Sequence, residues 1–90
     1  MKKVHVIVTG QVQGVWFRAS TADKAREIGV NGYVRNLPDG SVEFVAAGDD
    51  HEVDALVLWA KHGPPLADVD EVKVTPLDTD EEFTGFRVAY

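Results

Sequence analysis

Apolar and other residues alternate from the start of the chain: Val4, Val6 and Val8 fall on one face of a strand and His5, Ile7 and Thr9 on the other, with Gly10 closing the run. The period then changes. Over residues 18–29, Ala19, Ala22, Ala25 and Ile28 recur at helical spacing, Asp23, Lys24, Arg26 and Glu27 point away, and Gly29 suits a C-terminal cap. Residues 30–37 and 41–47 read as two strands joined by Pro38-Asp39-Gly40, where proline presets φ and glycine accepts a positive one. Asp49 and Asp50 can open a second helix with the stripe Val53, Leu56, Val57 and Ala60, widened by Leu58 and Trp59 and stopped by Gly63-Pro64-Pro65. Val69, Val72 and Val74 suggest a fourth strand ending near Pro76, residues 79–84 an acidic, exposed connection, and Phe86, Val88 and Tyr90 a short last strand. The order βαββαβ, with a short final strand, predicts an α+β fold: a ferredoxin-like split βαβ sandwich whose antiparallel sheet carries two helices on one face.

Length makes this a single domain over residues 1–90, because two independent cores do not fit in 90 residues. With no cysteine, disulfides and thiolate chemistry are excluded. Nine basic against fifteen acidic side chains give a net charge of −6, which repels a phosphate backbone, so nucleic acid is not an expected partner. The N-terminal apolar stretch is too short and interrupted for a signal peptide or membrane span, and a cytoplasmic protein without membrane association is expected. Nothing in the sequence calls for an obligate interface, and a monomer is expected.

Chemistry concentrates in the stretch from Gly10 to Arg18, GQVQGVWFR, which joins a strand directly to a helix. A glycine-containing turn opening onto a helix N-terminus presents unpaired amides and the positive end of the helix dipole, which suits phosphate. Arg18, in the first helical turn, adds a permanent charge and a planar fork able to engage two phosphate oxygens. The loop is neither a Walker loop nor a dinucleotide fingerprint. Asn36 is the second candidate, near the end of its strand in the run NGYVRNLPDG. Its neutral amide can orient a water molecule by donating and accepting together, or it can simply cap the hairpin.

His5, His51 and His62 lie outside both stretches and lack metal-ligand spacing, so no metal site is expected. No cofactor is expected either. Asp49 and Asp50 have no alternating oxygen-ligand loop around them and read as a helix start. Trp59 and Phe86 read as packing residues, and Arg87 or the terminal carboxylate as a possible brace for the loop.

GQVQGVWFR followed by NGYVRNLPDGSVE resembles the two signature stretches of the acylphosphatase family, in the family's order and spacing, and the resemblance extends over the whole chain. It implies a hydrolase that splits the carboxyl–phosphate bond of small acyl phosphates, with inorganic phosphate as product and competitive inhibitor. It also implies Arg18 and Asn36 as catalytic residues and the backbone amides of Gln13, Gly14, Val15, Trp16 and Phe17 as the phosphate cradle. Two positions depart from the pattern: Leu37 stands where some members carry a hydroxyl residue that steadies the asparagine, and Trp16 is bulkier than the residue often found there. Support for Asn36 must therefore come from elsewhere. The alternatives are a non-catalytic phosphate or acyl-phosphate binding module, which would not need the asparagine, a domain of a larger carbamoyltransferase, which would need regions absent from 90 residues, and a scaffold, which would leave both motifs unexplained.

Overall fold

The computed structural model describes residues 1–89. Seven elements follow in the order β1 (Lys2–Gln11), α1 (Phe17–Ile28), β2 (Asn31–Asn36), β3 (Val42–Gly48), α2 (Asp50–Ala60), β4 (Asp68–Pro76) and β5 (Phe86–Val88). The strands form one sheet in the order β4-β1-β3-β2-β5, antiparallel across its first four members. The short β5 adds a parallel pairing, Gly32 opposite Phe86 and Val34 opposite Val88, and makes the sheet mixed. This is the expected ferredoxin-like α+β fold. Tyr90, expected to continue the last strand, lies outside the described residues, as does a brace from the terminal carboxylate.

One face of the sheet carries both helices. Val4, Val6 and Val8 of β1, Val42, Phe44 and Ala46 of β3 and Val34 of β2 share that face through their registers, and all are buried in one cluster with Val53, Leu56 and Ala60 of α2. The alternation seen in the sequence is thus the alternation between core and opposite face.

Some local expectations shift, each for a physical reason. Gly10 does not end β1 but sits at a register shift in the β1/β4 pairing, between Thr9 and Gly10, with φ 118°. A Cβ there would lie 2.3 Å from the Asp68 carbonyl oxygen, so only glycine permits that close approach. Helix α1 begins at Phe17, and its buried seam is Phe17, Thr21, Ala22 and Ala25, leaving Ala19 exposed. Phe17 takes over because its ring reaches Trp59 of α2, with centroids 5.6 Å apart. Leu58 does not widen the α2 stripe: it is 60% exposed, about 200° around the helix from buried Leu56.

On the helix-free face, residues 77–85 run between the sheet's two edge strands, β4 and β5. Lys3 Nζ donates to the carbonyls of Thr79 (3.1 Å) and Glu81 (2.7 Å), and Gly85 N donates to Asn31 Oδ1 (3.0 Å). Phe83 packs on Tyr33 with centroids 6.3 Å apart. Val45 and Ala47, on this same face, are buried although no helix covers them. Most side chains of the segment remain exposed, as expected.

Candidate active site

A pocket of about 360 Å³ opens where the β1–α1 loop meets the end of β2. Its walls are Val12, Gly14, Trp16, Phe17, Arg18 and Ala19 from the loop and first helical turn, Asn36 from β2 and Val88 from β5. Residues 18 apart in sequence meet because β2 returns antiparallel to β3, which lies beside β1, and so brings its C-terminal end under the start of α1.

The loop's backbone is built for close approach. Gly14 has φ 76° with open space where a Cβ would stand, and Trp16 adopts φ 68°, ψ 16°. That left-handed conformation costs a bulky residue about 1–2 kcal/mol, which the surrounding loop must hold in place. Two residues with positive φ separated by one position curl the loop, a shape in which successive amides can converge on one side. Trp16 is also the N-cap of α1, offers no capping side-chain hydrogen bond, and is followed by no acidic residue in the first turn. Ser20 N closes the first helical turn on Trp16 O at 2.9 Å. A helix start in this state has donors and positive potential left over for an anion.

Asn36 belongs to the core-facing side of β2 yet ends at the pocket, and its Oδ1 is buried without a hydrogen-bond partner among the described residues. A buried amide oxygen with no partner costs about 1–3 kcal/mol, an arrangement that a bound water or substrate group relieves. Arg18 is half-buried on the pocket wall. Of the anticipated cradle, Gly14, Trp16 and Phe17 line the pocket. For Val15 and Gln13 the expectation concerns backbone amides, while their side chains serve elsewhere: Val15 packs against the core, and Gln13 Nε2 donates to the carbonyls of Leu37 (2.7 Å) and Ser41 (2.8 Å) in the β2–β3 hairpin.

Other conspicuous side chains lie elsewhere. His5 Nε2 is 2.7 Å from Glu43 Oε2 on the helix-free face, where Arg35 also bonds Glu43. Burial pushes the Glu43 carboxyl up, but hydrogen bonds from His5 and Arg35 with their charges outweigh it and hold the group below its ordinary value. His51 and His62 are exposed at the two ends of α2. Arg87 does not brace the loop: its guanidinium lies 6.0 Å from the Tyr33 ring centre, on the sheet's other face. Among the described residues no three His, Cys, Asp or Glu side chains group together as potential metal ligands, and no helix is long and apolar enough to cross a membrane. Sequence reasoning missed Val12, Ala19 and Val88 as pocket walls. For Val88 a signal existed in the Phe86–Val88 alternation, but the parallel pairing that carries it to the pocket leaves no local trace.

The acylphosphatase family model matches residues 4–88. An acylphosphatase of Methylococcus capsulatus is 58% identical over 88 residues, 98% of this chain and 96% of that protein. The crystal structure of the Bacillus subtilis acylphosphatase superimposes with a TM-score of 0.95 at 33% identity, covering both chains fully at 100%. A Coxiella burnetii acylphosphatase structure gives a TM-score of 0.92 at 41% identity, over 98% of this chain and 92% of the other. Full-length matches in sequence and fold, centred on a chain whose glycine loop and strand-end asparagine share one pocket, establish that this protein belongs to the acylphosphatase family and is a hydrolase of that kind.

Proposed function

We propose that the pocket hydrolyses the carboxyl–phosphate bond of small acyl phosphates without a metal, Arg18 and the loop amides of Gln13 to Phe17 holding the phosphate and Asn36 orienting the attacking water. The observation that carries this reading is the buried Asn36 Oδ1, without a partner among the described residues, in the same pocket as the start of α1. An acceptor oxygen and its amide N–H₂ can fix a water by one bond in each direction, without competing for the phosphate's charge.

The chemistry asks for little more. An acyl phosphate is a mixed anhydride whose leaving group is a carboxylate with a reference pKa near ~4, so the departing oxygen needs no general acid. Water oxygen bonds to phosphorus in line as the P–O bond to the carboxylate breaks, and the water's proton passes to a phosphate oxygen. Charge on the transferring phosphoryl group is met by the Arg18 guanidinium and by amides that need not reorganise. The acyl part finds an apolar rim in Val12, Trp16, Ala19 and Val88. Inorganic phosphate, as product, occupies the same cradle and inhibits competitively.

The test is hydrolysis of benzoyl phosphate by the purified chain in excess EDTA and ¹⁸O-labelled water, with Arg18→Ala and Asn36→Ala alongside. Turnover that survives the chelator, places the label in phosphate and collapses in both variants is expected. Saturable phosphate binding by a folded protein without turnover would instead identify a binding module.

A further inference from the structure

Asn36 is followed by Leu37, whose side chain has no hydroxyl to steady it, and its own Oδ1 has no partner among the described residues. Its position must come from the backbone on either side. That backbone leads directly into the β2–β3 turn, where Leu37 N donates to Ser41 O (2.9 Å) and Gly40 N to Leu37 O (3.2 Å). Asp39 Oδ1 accepts from Ser41 N (3.0 Å) and from Ser41 Oγ, closing the turn a second time. Nothing in that local set relates the turn to the phosphate loop.

Gln13 supplies the missing link. Its Nε2 donates one hydrogen to Leu37 O at 2.7 Å and the other to Ser41 O at 2.8 Å, spanning 24 and 28 residues of sequence. The two acceptors are carbonyls at the two mouths of the hairpin turn, and of the two ends of the Gln13 amide only the N–H₂ can donate to them, so the amide's orientation is set by its partners. Leu37 is bonded to Asn36, and Gln13 is bonded to Gly14 of the pocket wall. One side chain therefore ties the element that would hold phosphorus to the element that would aim the water.

We infer that the Gln13 side chain is a positioning residue that acts through Asn36, holding the hairpin in register with the phosphate loop. This rests on the proposed role of Asn36 and adds to it a cause for the asparagine's placement. A role of this kind has a kinetic signature. In-line attack tolerates little misplacement, with about 1 Å costing roughly 10²-fold in rate, whereas phosphate held by the loop and Arg18 needs no contact from the hairpin.

The experiment compares Gln13→Ala and Gln13→Met, the latter preserving side-chain length without a donor, in the wild-type and Asn36→Ala backgrounds. Each is assayed with benzoyl phosphate at enzyme concentrations that resolve residual rates, with inorganic phosphate as inhibitor. In the wild-type background kcat is expected to fall about ten- to a hundredfold in both variants, with the phosphate inhibition constant within about threefold. In the Asn36→Ala background, adding either substitution leaves kcat within about twofold, because the group through which Gln13 acts is gone. A loss that multiplies on top of the Asn36→Ala loss, an unchanged kcat in the single variants, or phosphate inhibition weakened as much as kcat would overturn the inference. A wild-type rate in Asn36→Ala alone would instead break the underlying reading of Asn36, so the two failures are distinguishable.

Discussion

The two helices of this protein begin differently although both point a positive dipole end outward. Helix α2 brings its own anions, Asp50 and Glu52 in its first turn after Asp49 at the N-cap. Helix α1 has no acidic residue in its first turn, a left-handed Trp16 at the N-cap, and Arg18 as its second residue. The backbone physics is the same at both ends. Neither N-cap side chain makes a capping hydrogen bond, so charge makes the difference: α2 carries carboxylates against its own dipole, whereas α1 keeps a cation beside a pocket whose Asn36 Oδ1 is buried without a partner among the described residues.

Removing the cation is the strongest way to break that difference. Arg18→Ala is expected to lower kcat/KM for benzoyl phosphate by about 10³-fold and to weaken phosphate inhibition in steady-state assays, with Arg18→Lys recovering only part because an ammonium lacks the planar fork. Making α1 resemble α2 comes next. Ala19→Asp puts a carboxylate on the pocket wall and should raise the phosphate inhibition constant about tenfold at low ionic strength, the effect shrinking as salt screens it. Trimming the rim with Trp16→Ala should raise KM for benzoyl phosphate about three- to tenfold while changing that for acetyl phosphate less, since only the larger acyl group reaches the ring. Making α2 resemble α1 is the mildest change: Glu52→Gln should cost about 0.5 kcal/mol in urea unfolding and leave turnover intact.

Much of this could be read from residue order alone. The alternation of Val4, Val6 and Val8 and the 3.6-residue stripe in α2 located the core, because burial imposes those periods directly. The pairing of Arg18 with Asn36 rests on a resemblance, since the 17 intervening residues carry no local record of a shared pocket. What stayed hidden depends on tertiary contact. Phe17 joins the helix seam because Trp59 waits for it, Gly10 is a bulge because Asp68 approaches it, and Val88 reaches the pocket because β5 pairs in parallel with β2. The Gln13 tether is of the same kind: a glutamine in a loop advertises a hydrogen bond but not its partners.

Acid sensitivity follows from carboxylates away from the pocket. Asp39 is held below its ordinary 3.8 by hydrogen bonds from the Ser41 hydroxyl and amide, and Glu43 sits below its ordinary 4.5 because His5 and Arg35 outweigh its burial. A folded-state value below the unfolded one contributes stability that is present above the ordinary range and lost as pH falls through the depressed value. Urea midpoints should therefore be flat near neutrality and drop below about pH 4, and Glu43→Gln should reduce the drop.

An Asn36 that acts on the water and not on the phosphate is tested in the Asn36→Ala variant. Calorimetric titration with inorganic phosphate and turnover of benzoyl phosphate would be measured on the same folded preparation. The expected result is a phosphate Kd within about threefold of wild type and a kcat lower by about 10²- to 10³-fold. A near-wild-type kcat, or a fall in turnover matched by an equal loss of phosphate affinity, would contradict it.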